Sequence, residues 1–269
     1  MSDYEYLLYE IEDNIGKVTL NRPEKRNALN LELIAELGDA CVRMNGEPDV
    51  RCAIITGAGD AAFCSGADLP LFETLQNPAD AYSYLRNDGG RITRTIETAE
   101  FPWIAAIKGF CVAGGMEIAL CCDMIVAGDN SMFGVLEINI GLLPGWGGTV
   151  RLPRAIPVRK AKELLFTGGT ISAQEALALG LVNKVVPVDQ VEDAAMELAK
   201  TIASKSRSAV RAGMNIINNS LTCDSIDAAL AIERGTLMTL VTAEETRRYL
   251  EPVIRMMMEA EEKEKGGKA

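Results

Sequence analysis

No histidine occurs among the 269 residues. That removes Ser–His–Asp and Cys–His nucleophile chemistry, and any histidine-held metal, from consideration. Acid–base work must fall to carboxylates, Lys, Tyr, Cys or bound water. A basic surplus is missing too. The net charge is −11, which excludes the broad basic stripe that nucleic acid requires, although NRPEKR at 21–26 is a local basic cluster. No apolar run reaches the roughly 18 residues of a membrane span. The opening MSDYEYLLYE lacks the basic n-region and apolar core of a signal peptide. There is no C-x-x-C pair, and the seven cysteines (41, 52, 64, 111, 121, 122 and 223) are odd in number and lie mostly in apolar runs. Reduced, buried thiols and a reducing, cytoplasmic location are therefore expected. What is present is a hydrophobic fraction of 48%, enough to bury one large domain or one domain with an appendage.

Along the chain, YEYLLYE and KVTLN around EDNIG read as two strands and a tight turn. NLELIAELGDACVRM has helical spacing, with Leu31, Leu33, Ile34, Leu37, Ala40 and the Cys41–Val42 pair largely on one face. CAIITGAG is a continuous apolar run ending in glycine, the pattern of a buried parallel strand. Helix then buried strand recurs: a helical segment near 80–98 leads into WIAAIKGF, and EIALCCD leads into MIVAG. This alternation implies α/β architecture with right-handed crossovers. Beyond about 158 the buried-strand signal fades except in VNKVVPV. Ser172 and Glu175 form a capping box for AQEALAL, with Gly180 placed to end the helix. VEDAAMELAKTIA, RSAVRAGMNIIN and a stretch from about 224 to 262 are helical in period. The expected organisation is an α/β core over 1–200, a helical region over 201–262 and a charged, solvated tail over 263–269.

Three segments carry chemistry. In AGGMEIALCCD (113–123), a strand, a Gly–Gly turn and a helix leave backbone N–H groups able to hold a negative oxygen, and glycine permits close approach. Glu117 there could equally complement the helix dipole with no chemistry at all. FCSGADLP (63–70) follows a predicted strand and offers a second small-residue turn. FGVLEINIGLLPGWGG (133–148) sets Glu137 among apolar neighbours ahead of a glycine-rich turn; an edge or loop acid is the plainer reading.

Taken together and in this order, these segments resemble the enoyl-CoA hydratase/isomerase (crotonase) superfamily. NRPEKRNALN at 21–30 matches the family's N-terminal signature, CSGADL its first oxyanion-hole segment and GFCVAGGMEIALCCD its second. FGVLEINIGLLPGWGGT, RLPR and TGGTISAQEALALGLVNKVVP continue the match, so that the resemblance spans about 5–190. It implies an α/β, crotonase-like spiral of ββα units followed by a C-terminal helical trimerisation region, assembled as a homotrimer or a dimer of trimers. It implies an acyl-CoA thioester substrate, no cofactor beyond the coenzyme A of that substrate, and no metal, nucleic-acid or membrane partner.

By the same resemblance, the backbone N–H groups of Ala67 and Gly114 hold the thioester oxygen, and Glu117 and Glu137 are the catalytic pair of the two-glutamate hydratases. Lys25, Arg26, Ala28, Ser65, Ala67, Asp68 and Leu69 are implied substrate or coenzyme A contacts. For Lys25 and Arg26 a solvated loop charge is the alternative, and for Asp68 a turn-forming role. Preorganised N–H donors stabilise the charge that grows on a thioester oxygen. A water between two carboxyls of unlike protonation could then add across a 2-enoyl double bond, with Glu117 as base and Glu137 as acid. Isomerase, acyl-CoA hydrolase, cyclic dienoyl-CoA hydratase and a non-catalytic acyl-CoA-binding subunit are the alternatives. Cys64, Cys111, Cys121 and Cys122 read as core thiols, Trp146 as packing or pocket wall, and Met256–Met258 as core or interface. The segment 71–91 is expected to border the acyl pocket. The closing LVTAEETRRYLEPVIRMMMEA departs from the family pattern, with Thr246 where glycine is common.

Overall fold

The computed structural model describes residues 4–266, with side chains described as far as residue 259. β1 (Leu7–Glu12) and β2 (Ile15–Leu20) form an antiparallel hairpin. Its two-residue turn, Asp13–Asn14, has φ of 51° and 64°. That left-handed pair matches the right-handed twist of the strands, and Asp and Asn tolerate it best after glycine. The second strand thus begins two residues earlier than KVTLN suggested.

Asn30 caps the helix Leu31–Gly46, its side chain accepting from Leu33 N. Leu33, Ile34, Leu37, Ala40, Cys41 and Met44 are buried along this helix, but Leu31 and Val42 are exposed. Those two lie roughly 120° and 145° around the helical wheel from the centre of the buried stripe, so the apolar face is narrower than the sequence implied.

Among the described residues, ten strands make two sheets. The larger runs β1-β2-β3-β5-β7-β10, with β3 (Cys52–Gly57), β5 (Trp103–Ile107), β7 (Met124–Gly128) and β10 (Lys184–Val186). From β2 onward its pairs are parallel. β3 and β5 are buried along their whole length, which accounts for their unbroken apolar runs. The smaller sheet runs β4-β6-β8-β9, with β4 (Ala62–Cys64), β6 (Phe110–Val112), β8 (Met132–Gly134) and β9 (Thr170–Ser172). β9 pairs antiparallel and lies in a region where no strand was expected. Three residues of TIS are too few to show a period.

The chain order supplies the logic of the fold. A strand of the large sheet, a strand of the small sheet and a helical segment follow one another three times: β3, β4 and the helices within 69–97; β5, β6 and the helix Gly114–Ala119; β7, β8 and the helices within 137–167. This is the α/β spiral of ββα units. The helical segment expected near 80–98 is broken into Pro78–Ser83, a π-helical turn Tyr84–Gly89 and Gly90–Glu97.

Two compact units divide the chain near Thr201. The second contains the helices Arg207–Ser220, Ile226–Thr242 and Glu244–Gly266, so the stretch read as one long helical region from 224 is two helices. Ser206 and Ser225 cap the first two of these. The last helix takes in 263–266, where a solvated tail was expected, and 267–269 lie outside the described residues. Ile217, Leu221, Ile226, Met238 and Met256–Met258 of this unit are exposed, so the methionine run is not core in the single chain. No helix of the described residues is long and apolar enough to cross a membrane.

Candidate active site

β4, β6 and β8 lie side by side and parallel, so the segments leaving their C-terminal ends emerge at one edge of the small sheet. Those segments are Ser65–Ala67, Ala113–Gly114 and Leu136–Glu137. Each turn of the spiral thus delivers one part of the site.

The first two parts are backbone amides. Leu29 N donates to Gly66 O and Asp68 N donates to Leu29 O, a parallel bridge that leaves the Ala67 N–H between them unused among the described residues. The Gly114 N–H opens its helix and has no acceptor among the described residues. A β-carbon placed on Gly114 would stand 3.9 Å from Ala67 N, so the two amides border one small space. Ala113, just before the helix, has φ 50° and ψ −127°, a costly conformation for a residue with a side chain. It is fixed by Ala113 N donating to Gly134 O and by Ala113 O accepting from Glu117 N. Gly115 is equally constrained, since a β-carbon there would lie 2.5 Å from Cys64 O.

Glu117, one turn into this helix, is 3% exposed. Its Oε1 accepts from Trp146 N and Gly148 N, each at 2.7 Å. Burial pushes its carboxyl up to about 7, the Gly148 amide opposes that, and the nearby Glu137 charge adds to it. Glu137 follows β8 and is half-buried; its Oε2 is buried with no hydrogen-bond partner among the described residues. Desolvation raises its carboxyl as well, against the Glu137 and Leu136 amides.

Ser65, Ala67, Gly114, Glu117 and Glu137 line a single cavity of about 560 Å³, with Leu69 at an exposed margin. Phe72, Leu75, Ala81, Tyr84 and Leu85 from 71–91 form part of its wall, as does Trp146. Lys25, Arg26, Ala28 and Asp68 do not line it. Lys25 and Arg26 are exposed on a short 3-10 turn, with the Arg26 guanidinium 5.8 Å from the centre of the Phe110 ring. Ala28 O accepts from Arg22, and Asp68 is ion-paired to Arg22 at 3.2 Å. Asp68 therefore braces the Ala67 segment from behind.

Several residues of the site were missed in the sequence. Arg22 is buried and joins Ala28 O to Asp68. Arg151 pairs with Glu97 and donates to Trp146 O, securing the loop whose amides hold Glu117. Tyr84 packs against Trp146 at a tilt of 45°, with ring centres 5.6 Å apart. The basic cluster at 21–26 hinted at Arg22, RLPR contained Arg151 and 71–91 contained Tyr84, but none of these segments singled out the residue. Cys64, Cys111 and Cys121 are buried, and burial pushes Cys64 up to about 12, the behaviour of inert core thiols. Among the described residues no group of three or more Cys, Asp or Glu is placed to hold a metal ion.

Comparison with known proteins gives the family and the fold. The model of the enoyl-CoA hydratase/isomerase family matches residues 10–264. A crotonyl-CoA hydratase of Syntrophomonas wolfei is 40% identical over 231 residues, covering 86% of this chain and 87% of the relative. An (E)-benzylidenesuccinyl-CoA hydratase of Thauera aromatica is 42% identical over 207 residues, 76% of this chain and 78% of that protein. The crystal structure of an enoyl-CoA hydratase from Bacillus anthracis superposes with a TM-score of 0.88 at 35% identity, covering 94% of this chain and 97% of that one.

Proposed function

The chain belongs to the enoyl-CoA hydratase/isomerase family, and from that premise we propose that it reversibly hydrates a 2-enoyl-CoA to a 3-hydroxyacyl-CoA. The observation that carries this reading is the sharing of one cavity by two unbonded amides, Ala67 and Gly114, and two carboxyls, Glu117 and Glu137. The amides receive the charge that moves onto the thioester oxygen as Cβ is attacked. One such donor typically contributes about 3–4 kcal/mol to lowering the barrier.

Glu117 is the base. Two amides hold Oε1 and favour the carboxylate form, leaving the other oxygen for water. Glu137 is the acid: a buried carboxyl oxygen without a donor is better tolerated neutral than charged. The reaction as written calls for no cofactor besides the coenzyme A of the substrate. The exposed Lys25 and Arg26 suit its phosphates, outside the acyl cavity. The apolar side chains left exposed on the helices from 207 onward support burial against further copies, as a trimer or a dimer of trimers.

Crotonyl-CoA tests the reading directly, through loss of its conjugated-thioester absorbance. Glu117→Gln and Glu137→Gln are each expected to lose most of that activity while still binding acyl-CoA. Full activity in either variant overturns the paired mechanism, and tight acyl-CoA binding with no turnover of any enoyl thioester points to a binding subunit instead.

A further inference from the structure

Tyr84 is a polar residue of the cavity that the two-carboxyl scheme does not use. It sits at the start of the π-helical turn Tyr84–Gly89, is 8% exposed and lines the same cavity as both glutamates. Its ring is fixed against Trp146, and the backbone of Trp146 is fixed in turn by Glu117. Gly89 makes this possible, because a β-carbon there would lie 1.9 Å from Trp146 Nε1. Among the described residues the Tyr84 hydroxyl makes no hydrogen bond, and its oxygen is not one of the buried atoms left without a partner, so it opens onto the cavity that the residue lines. A tyrosine with an apolar body packed in the wall and a polar tip facing a cavity offers that tip to whatever occupies the cavity. A hydroxyl whose ring is packed in place, and which makes no hydrogen bond to a described residue, is available to an occupant of the cavity.

Two features identify that occupant. Burial, with the charges of Glu117 and Glu137 nearby, pushes the phenol well above its ordinary range, so it remains a donor. The surrounding wall is otherwise mostly apolar, with Phe72, Leu75, Leu85 and Leu136 among its members. A water needs two to four polar partners to be held in such a place. Two carboxyls supply acceptors for its hydrogens, and a phenol supplies a donor to its oxygen.

We propose that Tyr84 is a further catalytic residue, whose hydroxyl donates to the oxygen of the attacking water while Glu117 and Glu137 accept its hydrogens. This rests on the hydratase reading above. In the forward step the water oxygen bonds to Cβ, its proton passes to Glu117, and the Cα=Cβ electron pair moves to the thioester oxygen. The enolate then takes a proton at Cα from Glu137. Tyr84 keeps its proton throughout. Glu117 ends protonated and Glu137 ionised, and exchange with solvent restores the pair once product leaves.

The test is Tyr84→Phe, which keeps the ring on Trp146 and removes only the donor. Two reactions are compared: hydration of crotonyl-CoA, and exchange of the α-hydrogens of butanoyl-CoA in deuterated water. The exchange uses the amides and a carboxyl but no attacking water. Hydration kcat is expected to fall on the order of 10- to 100-fold, the usual range for one lost hydrogen bond at a buried site, with KM, α-exchange and Tm near wild type. Unchanged hydration overturns the proposal. So does parallel loss of both reactions, which marks a packing role. A loss confined to substrates bearing an oxygen along the acyl chain overturns it as well, because the phenol would then read substrate and not water. If wild-type protein hydrates no enoyl thioester, the underlying reading fails first and takes this one with it.

Discussion

Gly66 and Ala113 meet so closely that a β-carbon on Gly66 would stand 2.6 Å from that of Ala113 and 3.2 Å from the Gly114 amide nitrogen. The two residues come from successive turns of the spiral, one after β4 and the other after β6. Their contact sets the spacing of the Ala67 and Gly114 amides. Two constraints coincide at Gly66, since its φ of +90° is itself one that side-chain-bearing residues rarely adopt.

Gly66→Ala should therefore damage catalysis more than stability. Strain and contact together are expected to cost on the order of 1–3 kcal/mol of folding free energy. Displacing one amide from the oxyanion position should lower kcat on the order of 100- to 1,000-fold. Denaturant unfolding and crotonyl-CoA kinetics on the same preparation separate the two effects. Wild-type kcat in this variant would show that the amides are not a catalytic pair.

Stability should carry the signature of the buried Glu117. Its carboxyl rises from 4.5 to about 7 on folding, so between those values the folded chain holds a proton that the unfolded chain releases. Stability then declines as pH rises from about 4.5 to 7, and the decline is complete above 7. At 1.36 kcal/mol per pH unit the full effect is at most about 3 kcal/mol. Glu117→Gln keeps an acceptor for the Trp146 and Gly148 amides but has no proton to lose. Relative to wild type it should gain stability from pH 5 to pH 8, as read from urea midpoints. Parallel curves across that range would mean that Glu117 is not buried as a carboxyl.

The same pair should shape the rate. Hydration needs one proton shared between Glu117 and Glu137, and the charge on Glu137 helps raise Glu117. kcat/KM, which reports the free enzyme, is expected to be bell-shaped. Its alkaline limb should lie near 7, where the pair loses its last proton, and its acid limb where the second proton is taken up. A profile flat from pH 5 to 9 would separate the carboxyls from the chemistry.

Much of this site was legible because its parts are local. The segments 63–70 and 113–123 read as small-residue turns after strands and 133–148 as an acid ahead of a glycine-rich turn, and it is the three in order that resemble the family. The capping box at Ser172 and Glu175, which is also local, forms both of its hydrogen bonds. The bracing was not legible. Arg22 meets Asp68 across 46 positions and Arg151 meets Glu97 across 54, pairings that no period or spacing encodes. Tyr84 lay within a stretch expected to border the pocket. That its ring packs against Trp146, 62 positions away, only the fold defines. Leu31 and Val42 show the opposite failure: apolar residues at helical spacing that remain exposed because the stripe beneath the helix is narrow.

Asp68 offers the sharpest separation of bracing from binding. Arg22 Nη1 and Nη2 both lie 3.2 Å from Asp68 Oδ2, and Nη1 also donates to Ala28 O. The Asp68 amide bonds to Leu29 O, so the clamp grips both strands of the bridge that leaves the Ala67 N–H unused. Asp68→Asn keeps the shape and one acceptor oxygen but removes the charge opposite a guanidinium that is mostly shielded from water. Charge-assisted bonds are roughly twice as strong as neutral ones, and misplacing a catalytic group by about 1 Å can cost on the order of 100-fold in rate. Asp68→Asn is expected to lose on the order of 1–3 kcal/mol of stability, with kcat falling and KM for crotonyl-CoA little changed. A raised KM with intact kcat and Tm would place Asp68 against the substrate instead, because only a contact made equally in ground and transition states moves KM alone.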